Sequence, residues 1–410
     1  MKGFTTKVLH TRYSKKDVHG ALRFPLYDSV AFEFDNATGI QQAFEGKLPA
    51  HTYSRISNPT VEDFEARMRT LTDSRGVVAV ASGMAAITNV ILALCSAGSN
   101  IVSSRHLFGN TISLFEKTLG SWGLEVRYAD MNDSSSIESK IDEHTRLLYL
   151  ESITNPQLEV ADISIISACA EKAGVPLVLD GTLTTPFLFR SRDYRVAVEV
   201  ISTTKYISGG ATGVGGVIID NGLFDWNRSP KVAPLAKQYG QFAFLAKLRR
   251  EVFRNCGSCM APHHAWMNTL GLETLALRIQ QSCDNAMAVA RFLAGQVKVK
   301  SVNYPGLSTS GSHAVASAQF KGRFGGLVVF LLEDRAQCFR FIDSLEIIRN
   351  ATNLNDNKSL IIHPASTIFS EYSVEERMDM GIADNMLRLS AGIEDREDLI
   401  DDIQKGLENI

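Results

Sequence analysis

Short apolar runs alternate with longer segments of helical periodicity between about residues 75 and 220. The apolar runs predict β-strands at residues 77–81, 100–103, 124–128, 146–150, 175–180 and 198–201. Between them, apolar residues recur at three- and four-residue spacing and predict helices over 82–97, 110–120, 134–143 and 161–174. Strands joined by helical crossovers form a mostly parallel, twisted sheet with helices on both faces. The pattern therefore predicts an α/β domain, and ligands of such domains bind outside the carboxyl ends of the strands.

The pattern changes after about residue 245. Helical segments over 244–254 and 265–295 precede an apolar run at 324–332 that predicts a strand. We therefore expect a second, smaller α+β domain over residues 251–410, after an α/β domain over residues 61–250. The first 60 residues show no strong period, and they predict an arm that packs on another surface.

Composition narrows the class of protein further. The chain has 410 residues, with 42 Lys and Arg against 45 Asp and Glu, so its net charge of −3 predicts neither a nucleic acid nor a membrane as partner. Hydrophobic residues make up 45% of the chain, as in ordinary globular proteins. Six cysteines are too sparse for a disulfide framework, and the N-terminus lacks the apolar run of a signal peptide. We expect a cytoplasmic protein.

The strand at 77–81 runs directly into Ser82-Gly83-Met84, where a helix begins. Ser82 is a good N-cap, Gly83 lets a ligand approach the backbone, and the free N–H groups of the first turn attract anions. This segment predicts a phosphate site, although a capped helix without a ligand would show the same residues.

Two further residues suggest chemistry at neighbouring strand ends. Asp180 ends what should be a fully buried strand, where a carboxylate is costly unless it is paired; the alternative is an N-cap or turn aspartate. Lys205 lies among hydroxyl residues and precedes a glycine-rich turn. A desolvated lysine has the lowered pKa that a Schiff-base amine requires, whereas a solvated loop lysine does not. The glycines match no nucleotide-binding fingerprint.

Together, these three features suit pyridoxal phosphate. The helix N-terminus would bind the phosphate, Asp180 would keep the ring nitrogen protonated, and Lys205 would form the Schiff base.

Seven motifs in order resemble a known family. They are Tyr53-Ser-Arg-Ile-Ser-Asn-Pro-Thr60, Ser82-Gly-Met-Ala-Ala-Ile87, Glu151-Ser-Ile-Thr-Asn-Pro156, Asp180-Gly-Thr182, Ser202-Thr-Thr-Lys-Tyr206, Ser359-Leu-Ile-Ile-His-Pro-Ala-Ser366 and Arg388-Leu-Ser-Ala-Gly-Ile-Glu-Asp395. The chain resembles the Cys/Met-metabolism group of pyridoxal-phosphate enzymes, and the likeness covers nearly its whole length. The resemblance implies a type I transferase-like fold, with a sheet of the seven-stranded type in the cofactor domain.

The resemblance also implies roles for individual residues. Lys205 would be the Schiff-base lysine and proton shuttle, and Asp180 the partner of the ring nitrogen. Tyr53 and Arg55 would reach the site of an adjacent subunit, which implies a homotetramer built as a dimer of dimers with shared sites. The remaining cofactor-binding residues would be Ser82, Gly83, Met84, Phe108, Asn155, Ser202 and Thr204, and the substrate-binding residues Asn155, Asn353 and Arg388. Tyr53 and Phe108 count among the catalytic candidates.

Segments 216–226, 303–307 and 353–364 look most like the O-acetylhomoserine sulfhydrylases. That likeness implies γ-replacement on O-acetyl-L-homoserine by sulfide or a thiol, giving homocysteine or methionine. The sulfur donor would be a small molecule or a sulfur-carrier protein. The alternatives are a methionine or cystathionine γ-lyase, a cystathionine γ-synthase, and a degenerate, non-catalytic scaffold.

Several residues depart from the family pattern. Phe108 stands where a tyrosine is usual and keeps the stacking ring but not the hydroxyl. Acetate leaves without protonation, whereas a thiolate benefits more from an acid, so Phe108 favours the ester substrate. Asn110 replaces the cysteine frequent in γ-lyases and points the same way, while Gly210 replaces a usual histidine and Asn355 a frequent glycine.

One cluster has the spacing of a zinc site. Cys256 and Cys259 are followed by His263 and His264. The sequence offers no second ligand pair, and buried thiols are common, so we expect no metal.

Overall fold

The computed structural model describes residues 3–11 and 17–410. Its strands are β1 Gly76–Val80, β2 Asn100–Ser103, β3 Glu125–Tyr128, β4 Thr145–Glu151, β5 Leu177–Asp180, β6 Val198–Ser202, β7 Gly216–Asp220, β8 Ser301–Asn303, β9 Leu327–Leu331, β10 Arg349–Asn350, β11 Leu360–Ile362 and β12 Met386–Ser390. Its α-helices are α1 Phe4–His10, α2 Ala37–Phe44, α3 Pro59–Thr72, α4 Gly83–Leu94, α5 Gly109–Ser113, α6 Ser134–Glu138, α7 Ile163–Ala173, α8 Thr185–Leu188, α9 Ala233–Tyr239, α10 Ala243–Lys247, α11 Phe253–Cys256, α12 Pro262–Ala294, α13 His313–Gln319, α14 Arg335–Asp343, α15 Val374–Asp379 and α16 Arg396–Glu408.

The larger sheet has seven strands in the order β1-β7-β6-β5-β4-β2-β3. Strands β6, β5, β4, β2 and β3 pair in parallel, whereas β7 is antiparallel to both of its neighbours. The predicted α/β class with a mostly parallel sheet is therefore confirmed. Each of the six predicted strands is present, and β7 is an additional strand that was not predicted, although Val217, Ile218 and Ile219 are apolar and buried.

The register of the central strands brings their polar ends together. Glu151 at the end of β4 pairs with Asp180 at the end of β5, and Asp180 pairs with Val200 of β6. In a parallel sheet, paired residues point to the same face. The side chains of Glu151 and Asp180 are therefore neighbours at the carboxyl edge of the sheet.

A second sheet of five strands has the order β10-β11-β12-β9-β8 and lies in the C-terminal part of the chain. The predicted strand at 324–332 is β9, and β12 pairs antiparallel with both β9 and β11. One cluster of buried apolar side chains includes Leu148 and Leu179 of the large sheet with Val329 and Leu387 of the small one. The two sheets thus share a core, and the domain boundaries at residues 60 and 250 remain predictions.

The structure also corrects the extent of some predicted elements. The helix predicted over 134–143 ends at Glu138, because a serine-rich segment has little intrinsic helical preference. The helical segment predicted over 244–254 is interrupted by the π-helical turn Leu248–Val252. Within residues 3–11 and 17–410, no helix has both the length and the apolar character needed to span a membrane.

Candidate active site

A cavity of about 470 Å³ lies at the carboxyl ends of β4, β5 and β6, beside the start of α4. Ten of the predicted site residues line it: Ser82, Gly83, Met84, Phe108, Asn155, Asp180, Ser202, Thr204, Lys205 and Arg388. Strand β12 of the C-terminal part contributes Arg388. The cavity therefore lies where the predicted α/β architecture places ligands.

One end of the cavity is formed by the N-terminus of α4. The Ser82 hydroxyl accepts a hydrogen bond from the Ala85 amide at 3.0 Å and caps the helix. The amides of Gly83 and Met84 precede the first intrahelical hydrogen bonds and are available to an anion. A Cβ on Gly83 would lie 2.7 Å from the Cβ of Ser202, so only glycine allows the helix to approach β6 this closely.

The Asp180 carboxyl faces the cavity from the end of β5. It accepts a hydrogen bond from the Thr182 amide at 2.8 Å. Burial raises the pKa of Asp180, while the Thr182 hydrogen bonds oppose that rise. Among the described residues no cation forms an ion pair with this carboxyl, so it is free to pair with a protonated ring nitrogen.

The Lys205 amine lies across the cavity. It donates a hydrogen bond to Asn353 Oδ1 at 2.8 Å, and Asn353 in turn donates to Asp356 at 3.1 Å. Burial, together with the nearby positive charge of Arg388, lowers the pKa of Lys205 to about 8. An appreciable fraction of this amine is therefore unprotonated and nucleophilic near neutral pH.

The Arg388 side chain is 2% exposed. One terminal nitrogen donates to Asn155 Oδ1 at 3.0 Å, and the other donates to the carbonyls of Thr352 and Asn353 at 3.3 and 3.2 Å. Its Nε is buried without a partner, and burial lowers the pKa of the guanidinium to about 10. Within the described chain no acidic side chain neutralises Arg388, so the cavity offers a buried cation to an anionic ligand.

Tyr53 and Arg55, which the resemblance assigns to the active site, lie outside this cavity. Tyr53 is 39% exposed, and the Arg55 guanidinium lies 5.4 Å from the centroid of its ring. Arg55 also donates to the carbonyl of Arg254 at 2.7 Å. Neither residue lines the cavity of its own chain, and the role implied for both in an adjacent subunit stays a prediction.

The sequence did not single out every residue that lines the cavity. The main omissions are Glu151, which ends a strand as Asp180 does, and Thr111, which follows the Phe108 loop. Apolar walls come from Ile87, Ile153, Leu183, Val214, Leu354 and Ile368. Among residues 3–11 and 17–410, no group of three or more His, Cys, Asp and Glu side chains is placed to hold a metal ion.

The cavity matches the requirements of pyridoxal phosphate. The backbone amides at the start of α4 are available to an anion, and Gly83 allows this helix to lie close to β6. The Asp180 carboxyl forms no ion pair, and the Lys205 amine is desolvated; these groups line the same cavity. A buried arginine without an acidic partner is available to an anionic group in the same cavity. The fold and this site define a pyridoxal-phosphate-dependent enzyme.

The chain belongs to the Cys/Met metabolism PLP-dependent enzyme family, whose profile matches residues 5–408. It is 34% identical to an L-methionine gamma-lyase of Pseudomonas putida, over 99% of this chain and 98% of that protein. It is 47% identical to an O-acetylhomoserine sulfhydrylase of Wolinella succinogenes, with a TM-score of 0.79 over 86% of this chain and 99% of that one.

A third relative carries the modified lysine itself. This Campylobacter jejuni protein is named as a candidate O-acetylhomoserine (thiol)-lyase and is 34% identical. Its TM-score is 0.92, over 99% of this chain and 100% of that one. It contains N'-pyridoxyl-lysine-5'-monophosphate at its own position 205. The cofactor predicted for this chain, pyridoxal phosphate, is thus confirmed by its family.

Proposed function

We propose that this enzyme replaces the γ-acetoxy group of O-acetyl-L-homoserine with sulfide or a thiol, in the biosynthesis of methionine. Similarity to the sulfhydrylase of Wolinella succinogenes supports the substrate class. The observation that carries the proposal is the site itself, in which a lysine of lowered pKa faces a buried arginine without an acidic partner. Phe108, which has no hydroxyl to protonate a leaving group, favours an ester over a thioether substrate.

The proposed cofactor-binding residues follow from their places in the cavity. The Gly83 and Met84 amides would bind the phosphate together with the hydroxyls of Ser82, Ser202 and Thr204. Asp180 would pair with the ring nitrogen, and Phe108 and Asn155 would contact the ring. When bound, pyridoxal phosphate withdraws electrons from the α-carbon of an amino acid and makes its protons acidic.

The protein's own groups bind the substrate and move its protons. Arg388 binds the substrate carboxylate through its guanidinium. The Asn155 side chain and the Asn353 carbonyl fix the orientation of that guanidinium, and the Asn353 side chain fixes the Lys205 amine. The unprotonated Lys205 amine accepts the proton from the α-carbon and returns it later. Fixing both groups on rigid elements supplies the orientation that makes the reaction efficient.

The overall reaction breaks the bond from the γ-carbon to the ester oxygen and forms a bond from the γ-carbon to sulfur. Acetate leaves with the electron pair of the broken bond and needs no proton. With hydrogen sulfide as donor, the products are homocysteine and acetic acid, which ionises in solution. No oxidant or reductant takes part.

We also propose that the enzyme is a homotetramer with active sites shared between subunits. Tyr53 and Arg55 are exposed and lie outside the cavity of their own chain. Val18, Leu22 and Val30 in the same N-terminal segment are apolar and more than half exposed, as expected of a surface that another chain covers.

All six cysteines are free, which supports a reducing compartment such as the cytoplasm.

The purified, cofactor-loaded enzyme tests the proposed reaction. With O-acetyl-L-homoserine and sulfide we expect homocysteine and acetate in equal amounts, and none from Lys205→Ala. Keto acid and ammonia from methionine without sulfide would instead identify a γ-lyase. Product only with a sulfur-carrier protein would identify the donor, and no product with any of these donors would overturn the proposal.

A further inference from the structure

A second cavity, of about 990 Å³, lies beside the cofactor cavity at the carboxyl ends of β2, β3 and β4. Glu151 lines both cavities and is only 7% exposed. The proposed reaction assigns no role to this carboxyl. A buried carboxyl at a cofactor site requires an explanation, because its desolvation is costly.

Glu151 and Asp180 cannot both be charged at low cost. Their residues pair across parallel strands about 4.8 Å apart, and their side chains point to the same face. Two buried carboxylates that close repel each other, so one of them retains a proton. Burial, and then the charge of Asp180, raises the pKa of Glu151 well above its ordinary value.

The nearby cations make their contacts with groups other than Glu151. Across the cofactor cavity, Lys205 binds Asn353 and Arg388 binds Asn155. The titratable and charged groups that line the second cavity with Glu151 are Arg105, His106, Tyr128, Asp130, Glu159 and Asp379. His106 lies 2.6 Å from Glu159, and Arg105 pairs with Asp379 at 3.1 Å. Within the described chain no cation forms an ion pair with Glu151.

The Glu151 carboxyl accepts hydrogen bonds from the backbone of the loop that carries Phe108 and from the backbone of Asn155. The Phe108 amide donates to Glu151 Oε1 at 2.7 Å. The Phe108 ring lines the cofactor cavity, and the next residues begin α5. Without this acceptor, a half-buried amide next to the ring would lose its partner, at a cost typical of an unmade hydrogen bond.

We propose that Glu151 is a positioning residue that works as a neutral acid: it anchors the Phe108 backbone against the cofactor ring and leaves the negative charge at the sheet edge on Asp180 alone. When Glu151 is neutral, it adds no second negative charge beside Asp180, so the Asp180 carboxylate alone pairs with the ring nitrogen. This role concerns cofactor binding and is independent of which amino acid the enzyme converts.

The variants Glu151→Gln and Glu151→Ala separate this role from the alternatives. Glutamine is neutral and keeps an oxygen that accepts the Phe108 amide, so we expect its dissociation constant for pyridoxal phosphate to stay within threefold of the original. Its visible circular dichroism from the bound cofactor should also be unchanged. Alanine removes the acceptor, so we expect at least tenfold weaker cofactor binding and loss of much of that signal. If glutamine causes the same loss as alanine, Glu151 acts as an anion and the proposal is wrong.

The cofactor-free protein provides a second readout. A carboxyl whose folded pKa is raised is protonated in the folded state but ionised in the unfolded state above its ordinary pKa, so it lowers stability progressively as pH rises. We expect Glu151→Gln to melt at the same temperature as the original near pH 5 and at a higher temperature at pH 8. Equal melting temperatures at both pH values would overturn the proposal.

Glu199 offers a matched control. Burial raises its pKa to about 8. It lies one strand beyond Asp180 but on the opposite face, where it accepts a hydrogen bond from Ser191. Glu199→Gln should show the same pH-dependent gain in stability with no change in the cofactor signal. A change in that signal would mean that any buried charge disturbs the cofactor, and would overturn a specific role for Glu151.

Discussion

At the scale of single residues, the charge of the Lys205 amine should control how fast the enzyme takes up its cofactor. Only the unprotonated amine attacks an aldehyde, and the pKa of Lys205 is lowered from 10.5 to about 8. Cofactor uptake by the apoenzyme should therefore accelerate about tenfold per pH unit below about pH 8 and level off above it. Stopped-flow absorbance between pH 6 and 10 measures this rate, and a small free amine measured in parallel corrects for ionisation of the cofactor. If the rate still rises tenfold per pH unit up to pH 10, the pKa of Lys205 is that of an ordinary lysine and the prediction is wrong.

Arg388 makes a second residue-scale prediction, about substrate affinity. Its planar guanidinium is fixed by Asn155 and two backbone carbonyls, and a lysine cannot reproduce a bidentate contact with a carboxylate. Arg388→Lys should raise the KM for O-acetyl-L-homoserine about 100-fold while the spectrum of the substrate-free holoenzyme stays unchanged. The original enzyme should also prefer the acid to its carboxamide far more strongly than the variant does. An unchanged KM would place the substrate carboxylate elsewhere.

At the scale of secondary structure, the approach of α4 to β6 shapes the phosphate end of the cavity. A methyl group on Gly83 would lie 2.7 Å from the Cβ of Ser202, so helix and strand must separate to admit it. Gly83→Ala should weaken cofactor binding at least tenfold and destabilise the apoenzyme by about 1–3 kcal/mol. Equilibrium dialysis and chemical denaturation measure the two effects. Gly311→Ala, whose added methyl meets open space, should change neither quantity, and equal behaviour of the two variants would contradict a steric role for Gly83.

The elements also show what the sequence could and could not predict. Strands buried on both faces appear as apolar runs, so β1, β2, β4, β5 and β6 were found, and the ends of β5 and β6 located Asp180 and Ser202. Strand β3 lies at the edge of the sheet and is partly exposed, and its apolar residues alternate with charged ones. Strand β7 was missed although Val217, Ile218 and Ile219 form a fully buried apolar run, because the glycines that precede it predicted only a turn. At Gly216, the first residue of the strand, a Cβ would lie 2.3 Å from the Ser82 carbonyl oxygen. Glu151 was missed because its meaning depends on the register that places it beside Asp180, which no single segment encodes.

At the scale of the whole molecule, an active site within one chain lacks two of the residues that the family resemblance assigns to it. The 470 Å³ cavity combines residues of both sheets, yet Tyr53 and Arg55 lie outside it. The apolar exposure of Val18 and Leu22 in the same N-terminal segment is what a subunit interface would bury. A shared site explains both observations with one contact.

Complementation between two defective chains tests whether sites are shared. Lys205→Ala removes the amine, and Arg55→Ala removes the residue proposed to reach the neighbouring site. If each site combines Lys205 of one chain with Arg55 of the other, a mixed dimer contains one site with both defects and one intact site. Equal co-expression of two inactive variants should then restore about a quarter of the original activity, because half of the randomly formed dimers are mixed and each has one working site of two. Separately purified variants mixed without subunit exchange serve as the control. No recovery in co-expressed, cofactor-loaded protein that size-exclusion chromatography shows to be oligomeric would place each site within a single chain.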